Sequence, residues 1–230
     1  MNKTSNQNFF ISMSNTANII DAACFAELCG LSFTRFLSLD MSGISGRPQP
    51  VISHFLKCVS CWLRTKGVRS AYVWVLEYPA RGRLNCHMLL HVPEALKSAF
   101  ARKERRWLGQ AGMPWRRDML VSTKIGIRSG ANNRALTDGE RLVNLEYVLS
   151  YILKGAERET CDRLEIKWGP QGTILGKRCG TSQSIGARAR TAAGYQPRPS
   201  ERGVILFKKR YRLSQASRPS EGRSSVSAHP

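Results

Sequence analysis

Tyr147, Tyr151 and Lys154 follow one another at intervals of four and three residues in a segment with helical apolar spacing. On an α-helix these three side chains fall within about 60° of one another, roughly opposite the apolar stripe. A phenolate can attack a phosphodiester, a nearby ammonium can offset the developing negative charge, and a second phenol can perform a second transfer. The three residues are therefore candidates for covalent phosphoryl transfer. The alternative is that both tyrosines only cover a half-buried polar face. The apolar stripe consists of Leu142, Leu145, Leu149, Ile152 and Leu153.

Two of the four histidines lie in residues 84–92, a β-rich run that predicts a strand. Because side chains alternate along a strand, Asn85, His87 and His91 point to the same face. Residues two apart are separated by roughly 6.6 Å along the strand, which is close enough to hold one divalent ion. His87 and His91 are about twice as far apart, so we do not expect them to share a metal.

A predicted hairpin brings a carboxylate to the same face. The three-residue loop 80–82 ends in a glycine, at the left-handed bulge position that such loops prefer. This register sets Glu77 opposite Asn85 and Val75 opposite His87. Glu77, Asn85 and His87 then converge as carboxylate, amide oxygen and imidazole, a set that suits Mg²⁺ or Mn²⁺. The alternative is a core histidine satisfied by a hydrogen bond, with Glu77 solvated.

The order of the predicted elements is that of an α+β domain. An antiparallel sheet with helices packed on one face is the simplest layer arrangement for this order. The predicted elements are a strand at 32–41, a helix at 51–65, hairpin strands at 71–77 and 84–92, a basic helix at 94–109, a strand at 120–127 and a helix at 138–157.

Composition divides the chain into four predicted segments. An N-terminal extension at 1–30, with a short helix at 19–28, precedes a folded domain at 31–160 that carries both motifs. A basic Gly/Arg-rich region follows at 161–213 and includes an apolar run at 203–207. The last segment, 214–230, has the composition of a disordered tail.

The charge of the chain points to polyanionic partners. It has 36 Lys and Arg residues against 16 Asp and Glu residues, a formal net charge of +20. Nucleic acid is the first candidate, because each neutralised phosphate releases counterions. A membrane is not expected, since no run reaches the roughly 18 apolar residues of a spanning helix. The N-terminal segment lacks a signal-peptide core, which predicts a cytoplasmic protein. The predicted phosphate contacts are Arg102, Arg105, Arg106, Lys177, Arg178, Arg188, Arg190, Lys208, Lys209 and Arg210.

Together, the two motifs resemble those of the HUH endonuclease superfamily, the rolling-circle replication initiators of plasmids and phages. The run from Tyr147 through Tyr151 to Lys154 is similar to the Tyr-x-x-x-Tyr-x-x-Lys motif of the two-tyrosine branch. The run Asn85-Cys86-His87 is similar to the family's metal-binding strand, which carries His–hydrophobe–His. Asn85 departs from that pattern, because it stands where the family has its first histidine.

The resemblance implies a ferredoxin-like or RRM-like palm, in which helices pack on an antiparallel sheet. It also implies nicking of single-stranded or hairpin origin DNA through a 5′-phosphotyrosyl intermediate, with a divalent metal as cofactor and a host helicase as partner. No small-molecule substrate is expected. Two other hypotheses stay open. One is a DNA-binding protein that keeps the fold but has lost nicking because of Asn85, and the other is a basic RNA-binding protein.

Overall fold

The computed structural model describes residues 7–79, 82–125 and 138–196. Its strands are β1 (Gln7–Asn8), β2 (Arg35–Asp40), β3 (Tyr72–Glu77), β4 (Asn85–Leu90), β5 (Leu120–Lys124), β6 (Ile174–Leu175) and β7 (Cys179–Thr181). Its helices are α1 (Met13–Leu28), α2 (Pro48–Thr65), α3 (Lys97–Gln110), α4 (Asp138–Ile152), α5 (Arg158–Leu164) and α6 (Ala187–Ala192). A short 3₁₀ turn, Glu94–Leu96, precedes α3.

Five strands form one antiparallel sheet in the order β5-β2-β4-β3-β7, so β4 lies at its centre. This confirms the predicted α+β class with an antiparallel sheet. In the hairpin of β3 and β4, Val75 pairs with His87 and Glu77 pairs with Asn85. The register predicted from the hairpin loop is therefore confirmed, although residues 80 and 81 of that loop lie outside the described residues.

Helices pack on both faces of the sheet. One face packs against α2 and α3, with Leu37, Leu76 and Met88 in its core. The other face carries Val75 and Leu89 and packs against α1, α4 and α5. The predicted one-sided packing is wrong, because β3 and β4 are apolar at consecutive positions (YVWVLE and NCHMLL). Such runs are typical of strands that are buried on both sides.

Helix α4 ends earlier than predicted. It stops at Ile152 rather than at 157, and the chain turns at Gly155 before α5 begins. A Cβ atom at Gly155 would lie 2.9 Å from the Cγ of Gln171, so a larger residue would have to move the Gln171 side chain. The turn places Lys154 just beyond the end of α4. Four residues of the predicted apolar stripe are buried, namely Leu145, Leu149, Ile152 and Leu153.

The N-terminal segment is tied to the chain that follows α4. β1 pairs with β6, and the backbone N–H of Ile11 donates to the carbonyl oxygen of Gly155 over 2.9 Å. The buried guanidinium of Arg178 donates to the carbonyl oxygens of Phe9 and Gly172. These contacts hold the turn after α4 and the strand β6 in place.

Other boundaries differ from the predictions or lie beyond the described chain. α1 begins at Met13 rather than at 19, and the Oγ of Ser12 caps it by accepting from the N–H of Asn15. The predicted segment boundaries at 30, 160 and 213 stay predictions. The run 203–207 and the tail 214–230 lie outside the described residues. Within the described residues, no helix is both long and apolar enough to cross a bilayer.

Candidate active site

His87 and Glu77 form a buried pair on the β3–β4 hairpin. Because Glu77 ends β3 and His87 pairs with Val75, the two side chains are diagonal neighbours on one face. The Nε2 of His87 lies 2.6 Å from the Oε2 of Glu77. Only 2% of His87 and 8% of Glu77 is exposed. The imidazole is thus oriented by a hydrogen bond from Nε2 to the carboxylate, and its Nδ1 is buried without a hydrogen-bond partner in the described chain.

Lys154 connects the end of α4 to this pair. Its Nζ lies 2.8 Å from the Oε1 of Glu77, so each carboxylate oxygen has its own partner. Burial alone would raise the pKa of Glu77, but the hydrogen bonds and positive charge from His87 and Lys154 lower it below its usual value. Burial alone would lower the pKa of Lys154, but the interactions with Glu77, and then with Tyr151, raise it. Both groups are therefore charged at neutral pH.

Tyr151 contacts both residues that bind Glu77. Its ring meets the His87 ring edge to face at 5.2 Å, and the Nζ of Lys154 lies 4.0 Å from its ring centroid. Phe36 of β2 stacks with His87 at 5.6 Å and meets Tyr151 edge to face at 6.1 Å. Tyr151 is still 40% exposed. It is therefore fixed by packing on one side and open to a ligand on the other.

Tyr147 lies one helical turn before Tyr151 on α4 and is 75% exposed. It lines the same cleft as Glu77, Tyr151 and Lys154. The geometry therefore distinguishes an inner phenol, Tyr151, from an outer phenol, Tyr147.

The hairpin places Glu77, Asn85 and His87 on one face, as predicted, but their side chains do not form a metal site in this arrangement. The 2.6 Å between Nε2 and Oε2 is shorter than the roughly 3 Å between neighbouring ligands of an ion with bonds of about 2.1 Å. The amide nitrogen of Asn85 donates to the carbonyl oxygen of Arg83 over 3.0 Å. Among the described residues, no three His, Cys, Asp or Glu side chains are placed to hold an ion. Lys154 places a permanent positive charge beside Glu77.

His91, the other histidine of this strand region, lies outside the site. Its Nδ1 is 2.9 Å from the carbonyl oxygen of Ser32, which is a structural hydrogen bond. The prediction that His91 does not share a site with His87 is consistent with this placement.

A cleft of about 760 Å³ opens beside the Glu77–Lys154 pair. The polar face of α4 forms one wall and the segment 167–171 (KWGPQ) forms the other. The N–H of Gly169 donates to the carbonyl oxygen of Lys154 over 2.9 Å, and the N–H of Tyr78 donates to the Oε1 of Gln171 over 3.0 Å. Sequence reasoning missed this wall. The available signal was a lysine and a tryptophan followed by Gly and Pro, within a region treated only as basic.

The predicted phosphate-contacting residues are spread over the surface rather than gathered at the cleft. Arg102, Arg105 and Arg106 are exposed on α3, which packs on the face of the sheet opposite the candidate site. Lys177 and Arg188 are also exposed. These five residues are accessible to a polyanion. A nucleic acid strand that contacts both the cleft and the three arginines of α3 would have to pass around the edge of the sheet.

Two of the predicted phosphate contacts are corrected by the structure. Arg178 and Arg190 are only 4% and 8% exposed. Arg178 donates to backbone oxygens of Phe9 and Gly172, and Arg190 donates to that of Ile185. Desolvation lowers the pKa of Arg178 to about 10. Both guanidinium groups join chain segments instead of facing a ligand. The predicted contacts Lys208, Lys209 and Arg210 lie outside the described residues.

No family model and no curated protein matches the chain. Among solved structures, it is similar to the N-terminal nuclease domain of non-structural protein 1 of Minute virus of mice. The identity is 9% and the TM-score is 0.38, over 86% of this chain and 98% of that one. The viral domain coordinates Zn²⁺ in its active-site pocket and recognises DNA at the origin of replication. A similarity of this size does not establish a common family, so the function must be argued from the residues of this chain.

Proposed function

We propose that this chain is a rolling-circle replication initiator of the HUH type, which binds single-stranded origin DNA and nicks it through a tyrosine. The observation that carries the proposal is the contact between α4 and the hairpin: Tyr151 packs on His87, and Lys154 pairs with Glu77. Two motifs that are distant in the sequence thus meet at one cleft. Covalent phosphoryl transfer needs such an arrangement, because the nucleophile and the charged groups must act on the same phosphate.

In the proposed step, the phenol oxygen of Tyr151 attacks the phosphorus and the bond to the 3′ oxygen breaks. The products are a 5′-phosphotyrosyl bond and a free 3′-OH, and the proton lost by the phenol balances the one gained by the 3′ oxygen. The ammonium of Lys154 offsets the negative charge on the phosphoryl oxygens. Tyr147, in the same cleft, can accept the strand in a second transfer. The free 3′-OH primes synthesis, for which a host helicase is the expected partner.

Covalent capture tests this proposal directly. The protein is incubated with a labelled single-stranded oligonucleotide and run on a denaturing gel. We expect a labelled band at the mass of the protein plus the bound strand. DNA binding without that band, across a range of sequences and in the presence of Mn²⁺, would contradict the nicking function.

A second candidate function is origin binding without nicking, in a chain that keeps the fold. The observation that favours it is residue 85, where the resembled family has a histidine and this chain has an asparagine hydrogen-bonded to Arg83. The two oxygens of Glu77 are also both engaged, by His87 and Lys154. In this alternative the cleft binds a strand but does not cleave it.

The affinity for Mn²⁺ tests whether Glu77, His87 and residue 85 can hold a metal ion. We expect weak binding in the wild type, because an ion must compete with Lys154 for Glu77. Asn85→His should tighten binding by roughly tenfold or more, since imidazole is the stronger ligand. His87→Ala should abolish it. Titration calorimetry measures all three proteins, and Asn85→Gln is the control that keeps an amide. Equal Mn²⁺ affinity in the wild type and His87→Ala would remove His87 from any metal site.

The salt dependence of DNA binding locates the phosphate contacts. If the arginines of α3 contact phosphates, replacing Arg102, Arg105 and Arg106 with Gln should reduce the slope of log affinity against log salt by about 2 for a single strand. Deletion of 203–230 should flatten the slope in the same way if those residues contact phosphates. Fluorescence anisotropy at several salt concentrations measures both variants. A slope that changes only in the arginine variant would assign the contacts to α3.

A further inference from the structure

The cleft beside Tyr151 is lined by Trp168, which takes no part in the proposed nicking step. We propose that Trp168 is a stacking platform for an unpaired base, so that the cleft binds one nucleotide of single-stranded DNA beside the phosphate that Tyr151 attacks. The inference deepens the proposed function and rests on it for the position of that phosphate. Stacking of a base on Trp168 can be tested separately, because stacking does not require nicking.

Trp168 separates two clefts. It is 38% exposed, and the guanidinium of Arg158 lies over its ring at 5.2 Å from the centroid. Arg158 lines the neighbouring cleft together with Phe9 and Phe10. Trp168 also lines the cleft of Tyr151, so part of its exposed side chain is available to a ligand in that cleft. A planar aromatic surface of this kind accepts any base, because every base has a π face.

The wall that carries Trp168 is held in place before any ligand arrives. Gly169, the next residue, donates its N–H to the carbonyl oxygen of Lys154 over 2.9 Å. The side chain of Gln171 accepts from the N–H of Tyr78, and a Cβ atom on Gly172 would lie 2.8 Å from the Tyr78 ring. This backbone hydrogen bond thus connects the residue next to Trp168 directly to Lys154, whose ammonium lies in the same cleft. Such preorganisation reduces the entropy lost when a strand binds.

The charge of the cleft fits a phosphate next to a base. Lys154 and Lys167 line it, and Glu77 is the only acidic residue among the described residues that do. Lys167 is exposed, whereas Lys154 is paired with Glu77. A volume of about 760 Å³ lies within the range of roughly 300–1,000 Å³ that is usual for small-ligand sites. A duplex keeps its bases stacked on one another, so this cleft selects a single strand.

The experiment compares Trp168→Ala with a matched control, Trp115→Ala. Trp115 is 42% exposed and has the guanidinium of Arg105 at 4.7 Å from its ring centroid, so it is alike in exposure and stacking but lies next to α3. The probes are an oligothymidylate of about eight nucleotides and an abasic strand of the same length and charge. Fluorescence anisotropy measures the affinity of each protein for each probe.

We expect Trp168→Ala to bind the oligothymidylate about 5- to 100-fold more weakly and the abasic strand unchanged. Trp168→Phe should retain most of the affinity, and Trp115→Ala should keep the wild-type ratio of affinities for the two probes. An unchanged affinity of Trp168→Ala for oligothymidylate would overturn the proposal, as would an equal loss for the abasic strand. With an oligouridylate of the same length as a further probe, a loss of affinity for that probe alone would overturn the DNA assignment and place RNA on the platform. Because no adduct is measured, these outcomes are independent of whether Tyr151 attacks DNA.

Discussion

Phenylalanine at both positions 147 and 151 is expected to eliminate the covalent protein–DNA adduct. Removing the nucleophile of a covalent mechanism lowers the rate by roughly 10³-fold or more, and neither ring can then form the phosphotyrosyl bond. Of the single variants, Tyr151→Phe should lose more activity than Tyr147→Phe. The reason is that Tyr151 contacts both Lys154 and His87, whereas Tyr147 is 75% exposed. Denaturing gels after incubation with single-stranded DNA and Mn²⁺ measure the adduct.

The tyrosine variants carry their own control for folding. Phenylalanine keeps the ring that packs on His87 and Phe36, so the melting temperature and the affinity for DNA should change little. Lost activity then reports the hydroxyl groups alone. If the double variant still forms the adduct at the wild-type level, α4 does not carry the nucleophile. If the larger loss falls on Tyr147→Phe, the outer phenol attacks first.

Lys154→Met is expected to reduce adduct formation by about 10²- to 10³-fold, the usual loss for one group that stabilises developing charge. It should also destabilise the fold by about 1–3 kcal/mol, because the carboxylate of Glu77 is left buried without its ammonium partner. Adduct formation and chemical denaturation measure the two effects separately.

The double variant Glu77→Gln/Lys154→Met distinguishes the two effects of Lys154. It removes both charges together, so most of the lost stability should return while adduct formation stays as low as in Lys154→Met. Recovery of adduct formation in the double variant would mean that Lys154 only neutralises Glu77 and does not act on the phosphate. Failure to recover stability would mean that the side chain is needed for packing.

The pH dependence of the pair follows from its two pKa shifts. The pKa of Glu77 is lowered, so its contribution to stability is present above its usual pKa and is lost as the pH falls through the lowered value. The pKa of Lys154 is raised, so its contribution is present below its usual pKa and is lost as the pH rises through the raised value. The stability that the charged pair adds should therefore decrease as the pH falls below the usual pKa of glutamate or rises above that of lysine, and chemical denaturation of the wild type and the double variant at several pH values measures it.

The parts of the fold set by local patterns could be predicted from the sequence. Alternation along β4 and the length of the hairpin loop fixed the pairing of Glu77 with Asn85 and of Val75 with His87. The apolar stripe of α4 likewise separated its buried leucines from Tyr147 and Tyr151. What no local pattern contains is the distance between the helix and the strand. The contact of Tyr151 with His87 depends on how α4 packs across the sheet.

Three errors share a physical cause, since each concerns a contact between segments that are distant in the chain. The consecutive apolar residues of β3 indicate packing on both faces of the sheet, whereas packing on one face would require alternation. α4 ends at Ile152, and the turn that follows packs against Gln171 and pairs with Ile11, which are both distant in the sequence. Arg178 is of a residue type that commonly contacts phosphates, yet it donates to the carbonyl oxygens of Phe9 and Gly172.

The contacts of Phe9 and Ile11 bear on deletion experiments that map the proposed DNA interface. Removing the segment that ends at Ile11 takes away one acceptor of the buried Arg178 and frees the turn at Gly155. That turn lies beside Gln171, in the wall that carries Trp168. A protein shortened in this way would thus bind single-stranded DNA more weakly, because the segment 167–171 would no longer be held in place. A series of truncations would then suggest that the N-terminal segment contacts nucleotides, although its role is to support the segment that carries Trp168.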